Sequence, residues 1–483
     1  MSTQFGNIKP SHWWGLGFAV SIYLAFFLYY YPCTHGIDDE VGFINQALVW
    51  SKGSTSIEGA GLSVFRDTME HNGKHIFWRN PGRSIVILPF ILIGGIQSVF
   101  LSGALIHILL TIVTGLILAR LAISPLYAVL VLCHPTLALY SRTVMGDAPA
   151  ALCIMLAVLA LLYTRHPGKW IGFAIACAAV SRYQLGILLP IVSLVLWKDR
   201  NLERPKREAV ACLIAGGVIG GLIVAYNLWL YGHPVGLVRV YSFDISFVPG
   251  NTAFYLTSFL LIWPGMLLLV ACDSSRIRWY SWSLSLPVFL LLLPYYYYDK
   301  GTSFAQTLIL GQRLLQPIIP LLTISYVFVL VKKLWPKLQA YVPERLPAAA
   351  AVATCLVLLL AQLFMFHQHQ NRLLQYKTAR EWVSTQIPAN SLIISNNNLF
   401  KLLAVPAPGI PNYRLQESDF FGYQFDYSKL IEAEKKPWYL AYFSKNGSNE
   451  IPAYIRDYQA KYQLVRIDSG AQGVILYKSL NAS

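Results

Sequence analysis

SIVILPFILIGGIQSVFLSGALIHILLTIVTGLILA, residues 84–119, contains no Asp, Glu, Lys or Arg. Its reading decides the fold, because it is long for one membrane span and short for two. A helix that crosses a bilayer needs about 20 apolar residues, whereas apolar runs of about 10–14 are re-entrant or interfacial. The adjacent Gly94 and Gly95 divide the stretch into a half-helix over 84–96 and one span over 97–119. Two thin spans would instead move every later loop to the opposite side of the membrane.

Working outward, uncharged apolar runs recur at residues 13–31, 124–140, 147–163, 170–181, 183–197, 209–231, 252–272, 279–298, 314–331 and 347–366. With 97–119 they predict about eleven transmembrane helices. Loop charges choose between the two parities, since cytoplasmic loops carry the excess of Lys and Arg. With the N-terminus inside, the inner loops hold Arg120, Arg165, Lys169, Lys198, Arg200, Arg204, Lys206, Arg207, Arg276, Arg278, Lys332, Lys333, Lys337 and Arg345. The short outer connections hold only Arg142, Arg182, Arg239, Lys300 and Arg313. Fourteen against five favours the single span. The first run, 13–31, is too long for a signal-peptide core and reads as a retained helix. The first long loop and the tail from about residue 367 then both lie outside the cytoplasm.

Composition agrees: 55% of the 483 residues are hydrophobic and 13% charged, against about 25% charged in soluble domains. The mean hydropathy is +0.49. These values exclude a soluble globular enzyme, a disordered chain and a disulfide scaffold. The net charge of +15 is placed where orientation explains it, so no nucleic-acid partner is expected. Seven cysteines lie in or beside apolar runs with no CxxC pair, which gives neither a zinc knuckle nor a disulfide framework. Residues 1–366 therefore read as a membrane domain, with a long outer loop over 32–83. Within that loop Val41, Ile44 and Leu48 recur at helical spacing, which suits a helix along the membrane surface. Residues 367–483 hold 9 acids and 13 bases and read as a small α/β domain. Helices are expected over 374–386 and 451–462, strands over 391–395, 437–443, 463–468 and 473–479.

Three places carry possible chemistry. Asp38-Asp39-Glu40 follows the first span; adjacent carboxylates repel, which suits one of them to accept a proton. The bland alternative is a solvated loop or a cap for the helix near Val41. Asp147 opens a span in GDAPAALCIMLAVLALL and is the only acid between Glu70 and Asp199. It is either a helix start or a functional acid at the membrane boundary. Arg313, in GQRLLQPIIP, is either a phosphate partner or a snorkelling interfacial side chain. Glu70, His71 and His75 in EHNGKH offer metal ligands, although Asn72-Gly73 between the histidines is a turn signal. No GxGxxG, Walker loop or GxSxG is present.

These segments together resemble the GT-C membrane glycosyltransferases that use polyprenyl-phosphate sugars. The likeness is nearest to the bacterial relatives of protein O-mannosyltransferases and of the aminoarabinose transferase that modifies lipid A. It runs over roughly residues 10–370 and rests on Asp39-Glu40 with Phe43 and Ala47, WRNPGRSIVILPFILIGG, GDAPAALCIMLAVLALL, WIGFAIACAAVSRYQLGILLP, NLWLYGHPVG and GQRLLQPIIP. Asn80-Pro81-Gly82 departs from the family's usual Pro-Pro-Leu. The resemblance implies an inverting transfer to an envelope acceptor with Asp39 as catalytic base, and Glu40 and Asp147 beside it in the catalytic group. Arg313, then Lys300 and Arg182, with Asp38, would bind the donor. Some members hold a divalent metal, so one is possible here. A multi-span transporter or flippase is the alternative, but that class favours internal repeats and mid-membrane charges.

Overall fold

The computed structural model describes residues 9–58, 68–77, 79–234, 243–262, 270–295, 303–338, 346–396, 414–417, 419–420, 423–424, 427–443, 451–467 and 474–480. The chain forms two compact units. One comprises Met1–Tyr31, Asn80–Val86 and Phe100–His367; the other comprises Pro32–Arg79, Ile87–Val99 and Gln368–Ser483.

The first unit is helical. It contains α1 (Pro10–Tyr29), the start of α3 (Pro81–Gly94) and nearly all of α4 (Val99–Arg120); α2 lies in the other unit. There follow α5 (Val129–Leu132), α6 (Pro135–Tyr140), α7 (Asp147–Tyr163), α8 (Gly168–Ser181), α9 (Leu188–Lys198), α10 (Pro205–Tyr231), α11 (Val248–Ile262), α12 (Arg278–Leu292), α13 (Phe304–Gly311), α14 (Ile319–Val329) and α15 (Trp335–Leu338). Helix α16 (Leu346–Gln386) begins in this unit and ends in the other. Five helical stretches among the described residues are long and apolar enough to cross a membrane: Pro10–Tyr29, Ile96–Arg120, Pro205–Tyr231, Ile245–Ile262 and Ile319–Leu338. Four more, among them Asp147–Tyr163 and Gly168–Ser181, are apolar but shorter.

The break expected in residues 84–119 is present. Helix α3 ends at Gly94, and Gly95 adopts φ +71°, a left-handed conformation that glycine adopts without strain. The run 124–140 is not one helix: Pro135 restarts the chain after His134, separating α5 from α6. Small residues bring backbones together. A Cβ at Gly103 would lie 2.2 Å from the Ser141 carbonyl oxygen, and Cβ atoms at Gly168 and Gly172 would lie 2.1 Å from the Glu208 and Cys212 carbonyl oxygens. Around these contacts Ile154, Val158, Ile175, Leu188, Leu315 and Ile319 form part of one continuous core.

The second unit holds α2 (Asp38–Ser51), a small antiparallel sheet of β1 (Ser56–Glu58), β2 (Thr68–His71) and β3 (Lys74–Phe77), and the tail elements. Helix α2 is buried along residues 40–49, including the polar Asn45 and Gln46. It is therefore enclosed by protein along most of its length. In the tail, β4 (Leu392–Ser395), β5 (Arg414–Glu417), β8 (Tyr439–Phe443), β9 (Leu464–Ile467) and β10 (Val474–Ser479) make one sheet in the order β5-β4-β8-β10-β9. The short pair β6 (Asp419–Phe420) and β7 (Tyr423–Gln424) lies between β5 and β8 in the chain. Strand β4 is parallel to β5 and β8, while β10 is antiparallel to β8 and β9. The near-continuous apolar runs LIIS and YLAYF suit the interior of such a sheet. Between β7 and β8 lies α17 (Ser428–Glu432), and before β9 lies α18 (Ala453–Tyr462). Ile455 of α18 and Trp438 pack with Leu440, Ile475 and Tyr477 beneath the sheet. The helix expected over 374–386 is the far end of the 41-residue α16, whose apolar span runs into polar sequence without a break.

Candidate active site

In the second unit, Asp39, Phe43 and Gln46 share one face of α2, four and then three residues apart. Together they grip Arg79. The Arg79 guanidinium Nη1 donates to Asp39 Oδ1 at 2.7 Å, and its Cζ stands 5.9 Å from the Phe43 ring centroid. The Gln46 amide donates to the Arg79 carbonyl at 3.1 Å and to the Phe77 carbonyl at 3.4 Å. The Asp39 and Arg79 side chains are 31% and 12% exposed.

Glu40 has a different task. Its Oε2 accepts the backbone N–H groups of Gly36 and Ile37, each at 2.8 Å, and the residue is 1% exposed. The carboxylate satisfies donors at the start of α2, where negative charge is favoured by the helix dipole. The Asp38 side chain lies outside the described residues.

The first unit holds the other acid. Asp147 is the first residue of α7, with Gly146 in the cap position, and is fully buried. It forms an ion pair with Arg182, which follows the end of α8 and has a side chain 18% exposed. Neighbours fix both ends of this pair. The Asn80 amide donates to the Ser181 carbonyl at 3.2 Å, and a Cβ at Gly82 would fall within 2.5–2.8 Å of Ser181. Tyr183 donates to Asn227 Oδ1 at 3.4 Å, and Asn227 donates to the Pro234 carbonyl at 3.2 Å. The loop before Asp147 is held by two buried arginines. Arg83 donates to Ser102 Oγ and the Thr143 carbonyl at 3.0 and 3.2 Å. Arg142 donates to the Phe366 carbonyl at 2.8 Å and to the Tyr30 carbonyl. A charge out of water needs such partners to be tolerated.

Arg313 lies in the single 3-10 turn Gln312–Leu315 and is 6% exposed. Lys300 lies outside the described residues. The EHNGKH segment forms the hairpin of β2 and β3, with Asn72 and Gly73 at φ 53° and 73°, the positive-φ pair that a two-residue hairpin turn favours. The side chains of Glu70 and His75 lie outside the described residues. Among those described, no three His, Cys, Asp or Glu side chains cluster as a cation site needs. Arg79, Arg83 and Asn80 were not singled out from sequence; Asn80-Pro81-Gly82 stood out only as a departure from a motif.

The fold has solved counterparts. It superposes on crystal structures of ArnT from Cupriavidus metallidurans. In the apo state of that protein the TM-score is 0.62, at 12% sequence identity over 97% of this chain and 98% of the other. For ArnT bound to undecaprenyl phosphate the TM-score is 0.59, again at 12% identity, over 98% and 99%. No protein-family model matches the sequence. None of the curated proteins matches it by sequence.

Proposed function

We propose that the protein is an inverting glycosyltransferase that moves a sugar from a polyprenyl phosphate to an envelope acceptor on the extracytoplasmic face of a bacterial inner membrane. In this reading Asp39 removes the proton from the acceptor hydroxyl, and the oxygen attacks the anomeric carbon as polyprenyl phosphate departs. Asp147, paired with Arg182, orients the sugar or the acceptor. Arg313 meets the donor phosphate, joined by Lys300, while Glu40 and Asp38 support the start of α2. About eleven spans, the outer loop 32–83 and an extracytoplasmic α/β tail over 367–483 complete the topology.

The observation that carries the reading is Asp39 itself. It is a partly exposed carboxylate held on a buried helix, at the position that the motif selects, in a chain whose fold matches a protein solved with undecaprenyl phosphate. A fold alone does not assign chemistry; a positioned, accessible base does more. The test is transfer of radiolabelled sugar from synthetic polyprenyl-phosphate donors by the purified protein. A panel of such donors that yields neither transfer nor donor hydrolysis would remove the enzyme reading. Orientation is checked separately with single cysteines and an impermeant thiol reagent in intact cells. Cysteines placed in the loop at 198–208 should resist it and one at Ser448 should react.

A further inference from the structure

We propose that Gln312, Gln316 and Gln362 read the hydroxyls of the donor sugar, and that this sugar is neutral rather than an amino sugar. The inference rests on the reading of Arg313 as the contact to the donor phosphate, and it adds the substrate class of that same site.

Three carboxamides lie in the interior of the first unit with hydrogen-bonding capacity left over. Gln312 is 0% exposed, and Gln316 and Gln362 are each 1% exposed. Neither amide atom of Gln312 or Gln362, nor Nε2 of Gln316, has a hydrogen-bond partner among the described residues. Enclosing such groups unpaired is unfavourable. A region that keeps three of them suits a ligand that supplies the missing partners.

Helix α6 brings them together. Thr136 Oγ1 and Tyr140 Oη donate to the carbonyls of Ile309 and Leu310 at 3.0 and 3.3 Å, which seats the turn Gln312–Leu315 against α6. Just past α6, Arg142 donates to the Phe366 carbonyl at 2.8 Å and ties α16 to the same place. Gln362 lies one helical turn before Phe366, on the face of α16 where Met365 and Phe366 are also buried. Within the turn, the Gln316 N–H donates to the Arg313 carbonyl at 3.1 Å. Side chains three apart in a 3-10 turn eclipse, so Gln316 shares a side of the turn with Arg313. Gln312 is the residue next to it.

What these segments lack decides the ligand. Residues 135–140, 304–329 and 346–366 contain one charged side chain, Arg313. With Arg313 on the phosphate, the sugar bonded to that phosphate meets amides. A carboxamide carries two N–H donors and a carbonyl acceptor, which complements hydroxyls that both donate and accept. A sugar with an ammonium group would need a carboxylate here and would meet a like charge in Arg313. Asp147, a few residues beyond Arg142 in the chain, is already balanced by Arg182.

The experiment measures donor binding and sugar transfer by the purified full-length protein. Its probes are bare undecaprenyl phosphate and the same lipid phosphate bearing glucose, mannose, galactose or aminoarabinose. Wild type should bind at least one hexose donor about 10-fold more tightly than the amino-sugar donor. Gln312→Met and Gln316→Met should each weaken that hexose donor about 10-fold, the usual cost of a buried hydrogen bond left unmade. Both should hold bare undecaprenyl phosphate within about 2-fold of wild type. They should also melt no lower than wild type, because an apolar group of similar size replaces an unpaired polar one. Single-deoxy hexose donors probe the same contacts without a variant, which covers a Met substitution that does not fold. Loss of at least one ring hydroxyl should cost wild type about 10-fold.

Preference for the amino-sugar donor overturns the subsite. So does an equal loss of bare and hexose-bearing lipid in the Met variants, or indifference of wild type to every deoxy donor. If wild type binds undecaprenyl phosphate and transfers any of these sugars, such results leave the proposed function standing. If it binds none of the probes and transfers nothing, both fall together.

Discussion

The two acid–arginine pairs, Asp39–Arg79 and Asp147–Arg182, have the same chemical composition and similarly buried arginines, 12% and 18% exposed, but differ at the acid. Asp147 is 0% exposed at its side chain and Asp39 is 31% exposed. Enclosed, an ion pair is a structural commitment: removing one partner strands a charge away from water. A carboxylate left partly in water keeps part of its hydration. A carboxylate that takes a proton from a substrate needs an open side, and one that keeps a loop in place does not. In the proposed function, burial rather than residue type sorts the two acids into a chemical and a positioning role.

The comparison breaks first at Asp39. Asp39→Asn should lower sugar transfer by about 10²–10⁴-fold, the usual cost of a lost general base, while thermal unfolding moves little. Near-wild-type transfer would take the chemical role from this pair. Asp147→Asn should do the reverse and cost about 3–5 kcal/mol of stability, as expected when an enclosed pair loses one member. Pairing it with Arg182→Gln should recover part of that loss in denaturant or thermal melts; an additive double loss would show that the two residues act apart. Arg313→Ala is expected to weaken donor binding by about 10-fold, a typical loss for a charge-assisted phosphate contact, and Arg278→Ala should not. Equal donor affinities for the two variants would take Arg313 out of the site. The smallest effect belongs to Glu40. Glu40→Ala should cost about 1 kcal/mol of stability, as other helix caps do, and leave measurable transfer. Loss of transfer as deep as that of Asp39→Asn would return Glu40 to the chemistry.

Much of this was legible in the sequence, and the remainder was hidden for definite reasons. The glycine break after Gly94 and the bounds of α7 follow from composition, because glycine and charge punctuate an apolar run. Asp39 stood out through its acidic cluster and the motif around it, and Asp147 because acids are scarce there. The partner of Asp39 did not, since Arg79 lies 40 residues away in the chain and nothing local marks the pairing, and Arg182 stood out as a donor ligand rather than as the partner of Asp147. Arg142 counts in a charge tally as an outer-loop cation, yet its guanidinium is spent on the Phe366 and Tyr30 carbonyls; backbone acceptors leave no trace in a sequence. The full extent of α16 escaped because its hydrophobic signal stops near residue 366 while its hydrogen bonding continues to Gln386. Strand β5, reading RLQE, has no apolar alternation to betray it.

The seam between α8 and α10 works as a fulcrum. Gly168 and Gly172 let the backbone of α8 rest on the carbonyls of Glu208 and Cys212, and in a lipid setting such contact, rather than expulsion of water, is what joins helices. Arg182 sits one residue beyond the far end of this helix, about 20 Å from Gly168 at 1.5 Å of rise per residue. A methyl group inserted at Gly168 would act as a wedge under a stiff rod. The displacement would be felt at the tip, where a guanidinium must stay against an enclosed carboxylate. A change with no chemistry of its own, at the opposite end of α8, should therefore loosen the pair that seats Asp147.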